Sequence, residues 1–426
     1  MKSRMNGYSL VALVAFVLGG ASAADGQPAS ASKKPAELSA TLRELRETRD
    51  ALSAVTEFES ALRPAEQIVA KLEGRDDLDF SNDLLRLANI QAGLEDYGAA
   101  EVTYLRAIEM LEDQQGAYSP ALIAAYHALG RTYIDSRLFR EALVALERAQ
   151  WISKRNFGLF DLKQSGVIDD MTLAHLESGD AEDARDLQRE RLDNAIKQFG
   201  PNSPKLIPFY HHLGDFYDRS GRRVDARTEF RKALEISSAH FGDSSPESLD
   251  TLRRLTAVQL HLNHRSHARD QLLAALDKAT GIDPKERGLS LAVLGDWSLV
   301  TGDQAAANRY YSEAYIALRK SDDADADDFF GTPVMLDFVR PMDDLWRVTD
   351  FRPSSWGTIE LSFDVSASGQ ASRVRMVSVE PSIDGIDRAY SRRIREAHFR
   401  PRLEEGRPVA TSDVRYTHRF RHHGRD

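Results

Sequence analysis

One spacing recurs along most of this 426-residue chain and constrains its fold more than any other feature. A small residue that follows Leu or Met lies twelve positions before an alanine, and this pairing returns six times. The small residues are Ala88, Gly130, Thr172, Gly214, Thr256 and Gly295. The intervals between them are 42, 42, 42, 42 and 39 residues. Near-equal intervals of this length indicate an array of one repeated supersecondary unit.

The residues around each small position predict a hairpin of two helices. Large apolar residues recur at helical spacing on both sides of Gly130 and Gly214, and segments rich in Gly, Pro and Ser, such as 199–204 and 241–246, mark helix ends. Small residues let two antiparallel helices approach closely, and one hairpin alone cannot bury both of its faces. The sequence therefore predicts six stacked hairpins over residues 80–320, with residues 38–79 as a helical cap or degenerate repeat.

The repeat resembles that of the tetratricopeptide family. The second copy carries the signature residues Tyr126, Leu129, Gly130, Tyr133, Ala142 and Ala149. The family repeat is about 34 residues long, and the longer period here is similar to the variant found in kinesin light chains. The third copy departs most from the pattern, because Gln188 and Arg191 occupy positions that are usually apolar. The resemblance implies an α-α superhelix whose groove holds other proteins and whose first helices line that groove.

The groove-lining positions of the first helices give candidate protein-binding residues. In this repeat frame they are Asn89, His127, Arg131, His211, Asp215, Arg253 and Asp296. Their mixed charge does not match the clamp by which some family members hold C-terminal carboxylates. An ordinary solvated helix face remains an open alternative for each of them.

The N-terminus predicts export. Lys2 and Arg4 precede a nine-residue apolar run, residues 10–18, and Ala21-Ser22-Ala23 follows as a small-x-small cleavage pattern. The run is shorter than the ~20 residues that a spanning helix needs. We expect a signal peptide at 1–23, a flexible spacer at 24–37 and a periplasmic mature protein. The alternative is an uncleaved N-terminus that anchors the chain in the inner membrane, facing the periplasm.

The pattern changes after the repeats. Residues 321–332 form an acidic segment, which we interpret as a solvated linker. From Gly357 the apolar residues alternate, and the order strand, strand, helix, strand is predicted up to residue 421, followed by a tail at 422–426. The expected fold is thus mostly α, with a small α+β domain over residues 333–421.

The C-terminal segment resembles the C-terminal domain of the TonB family. The matching residues are Gly357, Phe363, Val365, Gly369, Val374, Ala389, Phe399, Pro401, Gly406, Pro408, Val409 and Phe420. The resemblance implies a sheet that grips an extended segment of an outer-membrane transporter by adding a strand. The candidate edge is the last strand, with Arg415, Tyr416, Thr417, His418, Arg419 and Phe420. An energy transducer also needs a retained membrane helix and a long reach, which a cleavable signal and a solenoid replace here.

Composition argues against most other classes of function. The chain has no cysteine, which excludes disulfides, thiolate metal sites and cysteine nucleophiles, and its formal net charge of −10 argues against nucleic acid. Three histidine groups, 211/212, 261/264/267 and 418/422/423, lack carboxylates at the spacing of known metal motifs, so no metal site is predicted. No nucleotide, cofactor or hydrolase motif is present, so we expect neither a cofactor nor an enzyme.

Two functional readings follow. The favoured one is a periplasmic, non-enzymatic adaptor that binds envelope proteins or extended peptides through its groove and its last strand. The alternative is a TonB-type energy transducer that is anchored by an uncleaved N-terminus and serves outer-membrane transport. Contact with the membrane is expected only in the second case.

Overall fold

The computed structural model describes residues 33–262, 267–279, 281–322, 324–337, 354–382 and 385–423. The predicted signal peptide, residues 24–32 of the predicted spacer and the last three residues of the tail lie outside these ranges. The chain divides at Thr103 into two compact units, which are described separately.

Both units are built from helical hairpins. The first unit contains α1 (Lys33–Ala54), α2 (Phe58–Leu72), α3 (Leu78–Gly93) and the start of α4 (Tyr97–Gln115). Within the described ranges, the second contains the rest of α4 and five hairpins. The first three are α5/α6 (Ala121–Asp135, Phe139–Phe157), α7/α8 (Ser165–Ser178, Ala181–Phe199) and α9/α10 (Ile207–Arg219, Arg223–Phe241). The last two are α11/α12 (Pro246–His261, His267–Lys278) and α13/α14 (Pro284–Val300, Gln304–Leu318).

Each hairpin is closed by a small residue on its first helix and a large one on its second. A Cβ atom added at Gly214 would lie 2.4 Å from the ring of Phe230, and one added at Gly295 would lie 2.5 Å from Tyr311. The alanines twelve residues further on are all fully buried: Ala100, Ala142, Ala184, Ala226, Ala268 and Ala307. The predicted helical hairpins and their contact positions are therefore confirmed.

The third hairpin closes with polar groups. Thr172 takes the small position and Gln188 the large one, and the Gln188 side-chain amide donates a 2.8 Å hydrogen bond to the Thr172 hydroxyl. Both side chains are almost fully buried. Arg191 reaches back to Asp169 at 2.7 Å. A hydrogen bond and an ion pair thus replace the apolar contact of the neighbouring hairpins.

The first unit begins with a hairpin that follows the repeat pattern. Ala61 and Ala65 of α2 are buried, and the ring of Phe58 packs closely over Gly93 of α3. Helix α1 begins at Lys33, so residues 33–37, which we assigned to a flexible spacer, form its first turn. That part of the spacer prediction is corrected.

The predicted acidic linker is also folded. Residues Ala326–Phe329 form a single helical turn, α15, whose N-terminal amides are capped by the carboxylate of Asp325. The next residue, Phe330, is fully buried and contacts the rings of Tyr311 and Tyr315 on α14. The solvated-linker interpretation missed this aromatic anchor, which attaches the segment to the last hairpin.

In its described residues the C-terminal region, or C-terminal sheet, contains one three-stranded sheet, two two-stranded sheets and one helix. Its elements are β1 (Val334–Met335), β2 (Ser354–Val365), β3 (Ala371–Glu380), α16 (Ile386–Glu396), β4 (Phe399–Arg400), β5 (Arg402–Glu404), β6 (Arg407–Val409) and β7 (Thr411–His423). The three long strands are antiparallel in the order β3-β2-β7, while β1 pairs with β4 and β5 with β6. Phe363, Tyr390, Ile394 and Phe399 form the centre of its core.

Candidate protein-binding surfaces

The predicted groove residues of the early repeats lie on accessible parts of their helices. Asn89 is exposed on α3 in the first unit. In the second unit, Nε2 of His127 on α5 lies 2.6 Å from the Asp170 carboxylate on α7. Arg131 lies one turn further along α5, with its side chain 67% exposed and its guanidinium 3.8 Å from Asp170. Arg131 therefore presents most of its guanidinium to solvent.

His211 on α9 is buried between two helices. Its Nε2 lies 2.7 Å from the hydroxyl of Thr251 on α11, and its Nδ1 lies 3.3 Å from Asp250. The Thr251 hydroxyl donates to a backbone carbonyl, so it accepts from His211. Burial lowers the pKa of His211 to about 4, against the opposing effect of the Asp250 charge. The imidazole is thus neutral at pH 7 and joins neighbouring hairpins.

The charges on α9, α11 and α13 are paired between hairpins. Asp215 on α9 contacts Arg254 on α11 at 2.5 Å, and Arg253 on α11 contacts Glu286 on α13 at 2.6 Å. Arg253 also contacts Asp250 on its own helix at 3.0 Å. Arg253 is only 8% exposed. These predicted groove residues therefore hold consecutive first helices together, and Arg253 offers a peptide little surface.

The carboxylate of Asp296 is bound by a side chain of the C-terminal sheet. Its carboxylate accepts two hydrogen bonds from Arg400 on β4, at 2.8 Å from Nε and 2.5 Å from Nη2, and a third from the Tyr311 hydroxyl at 3.0 Å. Burial opposes the charge on Arg400, but Asp296 outweighs it and raises the pKa of the guanidinium. Asp296 thus binds this chain's own sheet, which corrects its assignment as a groove residue open to a partner.

Further contacts fix the C-terminal sheet on the helices of the second unit. The hydroxyl of Ser312 on α14 donates to the carbonyl of Gly406 at 2.7 Å, and the amide of Leu403 donates to the carbonyl of Phe330 at 3.0 Å. Arg419 on β7 contacts Glu177 on α7 at 2.9 Å. Repeats and sheet therefore form a docked pair within this unit.

The candidate edge residues alternate along β7. Arg415, Thr417 and Arg419 are exposed, whereas Tyr416 and His418 are half-buried with their rings stacked 6.0 Å apart. Phe420 is 3% exposed and packs over Gly357, so its side chain belongs to the core of the sheet. In the order β3-β2-β7, β7 lies at one end of the sheet and pairs with β2 along its length.

A family model for a tetratricopeptide repeat matches residues 207–240, which correspond to α9 and most of α10. The chain carries a tetratricopeptide repeat. Among solved structures, it is similar to the TPR-like repeats of a putative kinesin light chain from Podosopora anserina, at 17% identity and a TM-score of 0.41, covering 49% of this chain and 98% of that one.

A second similar structure is Pseudomonas aeruginosa pilF, at 14% identity and a TM-score of 0.35, covering 57% of this chain and 91% of that one. No curated protein matches this tetratricopeptide-repeat chain. Within the described ranges, no helix combines the length and apolar character needed to cross a bilayer.

Sequence reasoning missed two features of these surfaces. The partner of Asp296 is 104 positions away in a segment without repeat periodicity, so no spacing pointed to Arg400. An exposed aromatic pair, Tyr118 and Trp151 with centroids 5.0 Å apart, lies beneath the guanidinium of Arg155. Trp151 occupies an outward position of α6, and a large aromatic residue at such a position was the signal available in the sequence.

Proposed function

We propose that this protein is a non-enzymatic periplasmic adaptor in which the repeats bind one protein and the C-terminal sheet binds an extended segment of another. The observation that carries the proposal is the placement of the 13-residue strand β7 at the end of a sheet that is docked on a repeat array. Repeat arrays offer extended surfaces for proteins, and end strands accept an additional strand. The two modules together suit a protein that joins two partners.

The proposed role of the sheet is strand addition at β7. The added segment would extend the order β3-β2-β7 by one strand, with main-chain hydrogen bonds giving affinity and side-chain contacts giving specificity. The resemblance to TonB C-terminal domains supports this mode and makes an outer-membrane transporter one candidate partner.

The proposed role of the repeats centres on α5. Arg131 is the basic groove residue of the second unit with most of its side chain in solvent, because Arg253 is buried against Glu286. Arg131→Glu tests this role without removing a buried ion pair. We expect it to weaken co-purification of the repeat-bound partner, while Arg140→Glu, the same charge change at an exposed position of α6, leaves it intact. Equal recovery with both variants contradicts this role.

The proposed location rests on the N-terminal sequence. Export with cleavage after Ala23 gives a periplasmic adaptor, whereas retention of residues 1–23 supports the second candidate, an anchored TonB-type transducer for outer-membrane transport. Cell fractionation followed by N-terminal sequencing separates them. A mature protein that begins near Ala24 in the periplasmic fraction supports the adaptor, and a membrane-bound protein that begins at Met1 supports the transducer.

A further inference from the structure

The turn of the third hairpin brings one imidazole and two carboxylates together. His175 lies in the last turn of α7, Asp180 precedes α8, and Asp183 lies in the first turn of α8. Nδ1 of His175 is 3.9 Å from Oδ2 of Asp180 and 3.9 Å from Oδ2 of Asp183. The three potential ligand atoms lie within 4.8 Å of one another. This donor set suits divalent transition metals such as Zn²⁺, Mn²⁺ or Ni²⁺.

The next hairpin shows a different arrangement at the same place. In the 42-residue frame, His175, Asp180 and Asp183 correspond to Tyr217, Arg222 and Asp225. The Arg222 guanidinium lies 5.2 Å from the centre of the Tyr217 ring and pairs with Asp225 at 2.7 Å. The fourth hairpin thus supplies its own cation to the turn.

The third hairpin differs from the fourth at two of these three positions. Asp180 stands where Arg222 stands in the fourth hairpin, and His175 stands where both neighbouring hairpins have a tyrosine, Tyr133 and Tyr217. Among the residues that the structure describes, neither Asp180 nor Asp183 has an ion pair with Lys or Arg. The third hairpin thus has an imidazole and a second carboxylate where the fourth hairpin has a tyrosine and an arginine.

The environment of the His175 side chain is a second observation that points to a ligand. It is 15% exposed, and within the described part of the chain its buried Nδ1 has no hydrogen-bond partner. A buried polar atom without a partner is unfavourable, and a metal bound at Nδ1 would remove that cost. The Asp180 and Asp183 side chains are 56% and 67% exposed, so they can rotate toward an ion and leave further positions to water.

The two distances from His175 are close to those of a metal site. Ligand bonds of about 2.1 Å in a tetrahedral site place neighbouring ligand atoms about 3.4 Å apart, so each of the two 3.9 Å distances between Nδ1 and a carboxylate oxygen would shorten by roughly half an ångström. The His175 carbonyl accepts hydrogen bonds from the amides of Gly179 and Asp180, at 2.9 and 2.8 Å, which fixes the turn between the ligands. The C-terminal end of α7 meets the N-terminal end of α8 here, so the partial negative charge of one helix end lies beside the partial positive charge of the other.

We propose that His175, Asp180 and Asp183 bind one divalent transition-metal ion, for which Zn²⁺ is the probe. The bound ion would hold the two helices of the polar third hairpin together at their turn. The ion would take the place that the Arg222 guanidinium holds between the corresponding positions of the fourth hairpin. None of the three ligands belongs to either proposed protein-binding surface, so failure of this proposal leaves the adaptor proposal untouched.

The test is calorimetric titration of the metal-free, full-length protein with Zn²⁺, together with Co²⁺ absorption spectra. We expect the wild-type protein to bind one Zn²⁺ at this turn. His175→Tyr, which restores the residue of the neighbouring hairpins, and Asp183→Asn should each weaken that binding by about tenfold or more. Asp225→Asn in the fourth hairpin is the matched control and should leave binding unchanged.

A structural readout accompanies the titration. Zn²⁺ should raise the melting temperature of the wild-type protein but not that of His175→Tyr, whose circular dichroism should match the wild type. Absence of Zn²⁺ binding overturns the proposal, and so does equal affinity in the wild type and in both variants, because the ion would then bind elsewhere, for example at the histidines near residue 420.

Discussion

The buried ion pair between Arg400 and Asp296 leads to a sharp prediction about how the sheet stays docked. The two side chains are 11% and 10% exposed and are joined by two hydrogen bonds. Arg400→Met removes the guanidinium and leaves the Asp296 carboxylate buried, with the Tyr311 hydroxyl as its remaining donor among these three side chains. Breaking one side of a buried pair typically costs about 3–5 kcal/mol.

The assay is amide hydrogen exchange of the full-length protein. The Leu403 amide donates to the carbonyl of Phe330, so its exchange reports undocking, while the Leu361 amide in the middle of β2 reports opening of the sheet itself. A loss of about 3 kcal/mol corresponds to exchange that is on the order of 100-fold faster at Leu403. Leu361 should change much less.

The matched control is the double variant Asp296→Asn with Arg400→Met. The asparagine still accepts from Tyr311 and carries no charge, so most of the lost protection at Leu403 should return. The reasoning is refuted if Arg400→Met exchanges like the wild type at Leu403. It is refuted equally if the double variant exchanges as fast as the single one, because the cost would then not come from an unpaired buried charge.

Two further predictions concern the repeats. The pKa of His211 in the folded protein, about 4, lies below its ordinary value of about 6.5. Between these values the unfolded state binds more protons than the folded state, so stability falls as pH falls. Urea unfolding should therefore show a loss of about 2 kcal/mol in the free energy of unfolding from pH 7.5 to 5.0, and His211→Gln should remove this loss. Gly214→Ala places a methyl group 2.4 Å from the buried Phe230 ring and should lower the melting temperature, at a cost of about 1–3 kcal/mol. Gly98→Ala in α4, with no atom within 4 Å of the new Cβ, should instead stabilise by about 0.5–1 kcal/mol. A uniform decrease for both glycine variants, or an unchanged pH slope in His211→Gln, contradicts this account.

The repeat could be predicted from sequence because its physics is local and periodic. A small residue such as Gly130 in a helix indicates that a second helix packs closely against it. The fixed spacing along the sequence to Ala142 identifies that second helix. The same frame located the irregular third hairpin through Gln188, although not the hydrogen bond to Thr172 that compensates for it.

The contacts that define the surfaces could not be predicted in the same way. Arg400 and Asp296 come together because the C-terminal sheet packs on the last repeat. Neither residue lies in a sequence motif that indicates the other as its partner. Asp327 looked like part of a solvated acidic run, yet it accepts a hydrogen bond from Tyr315 beside the buried Phe330. Charge runs predict solvation only while no aromatic neighbour anchors them. The grouping of His175 with Asp180 and Asp183 could not be predicted either, because it depends on how α7 and α8 meet at their turn.

Photocrosslinking from β7 in intact cells tests the central claim most directly. A photoreactive residue replaces Arg415, whose side chain is 52% exposed on β7, or Val377, which is 45% exposed on β3 at the other end of the sheet. The account predicts that Arg415 crosslinks to an extended segment of an envelope protein and that Val377 does not. Crosslinks from Val377 alone, or adducts at Arg415 only to helices of this same chain, would contradict strand addition at β7.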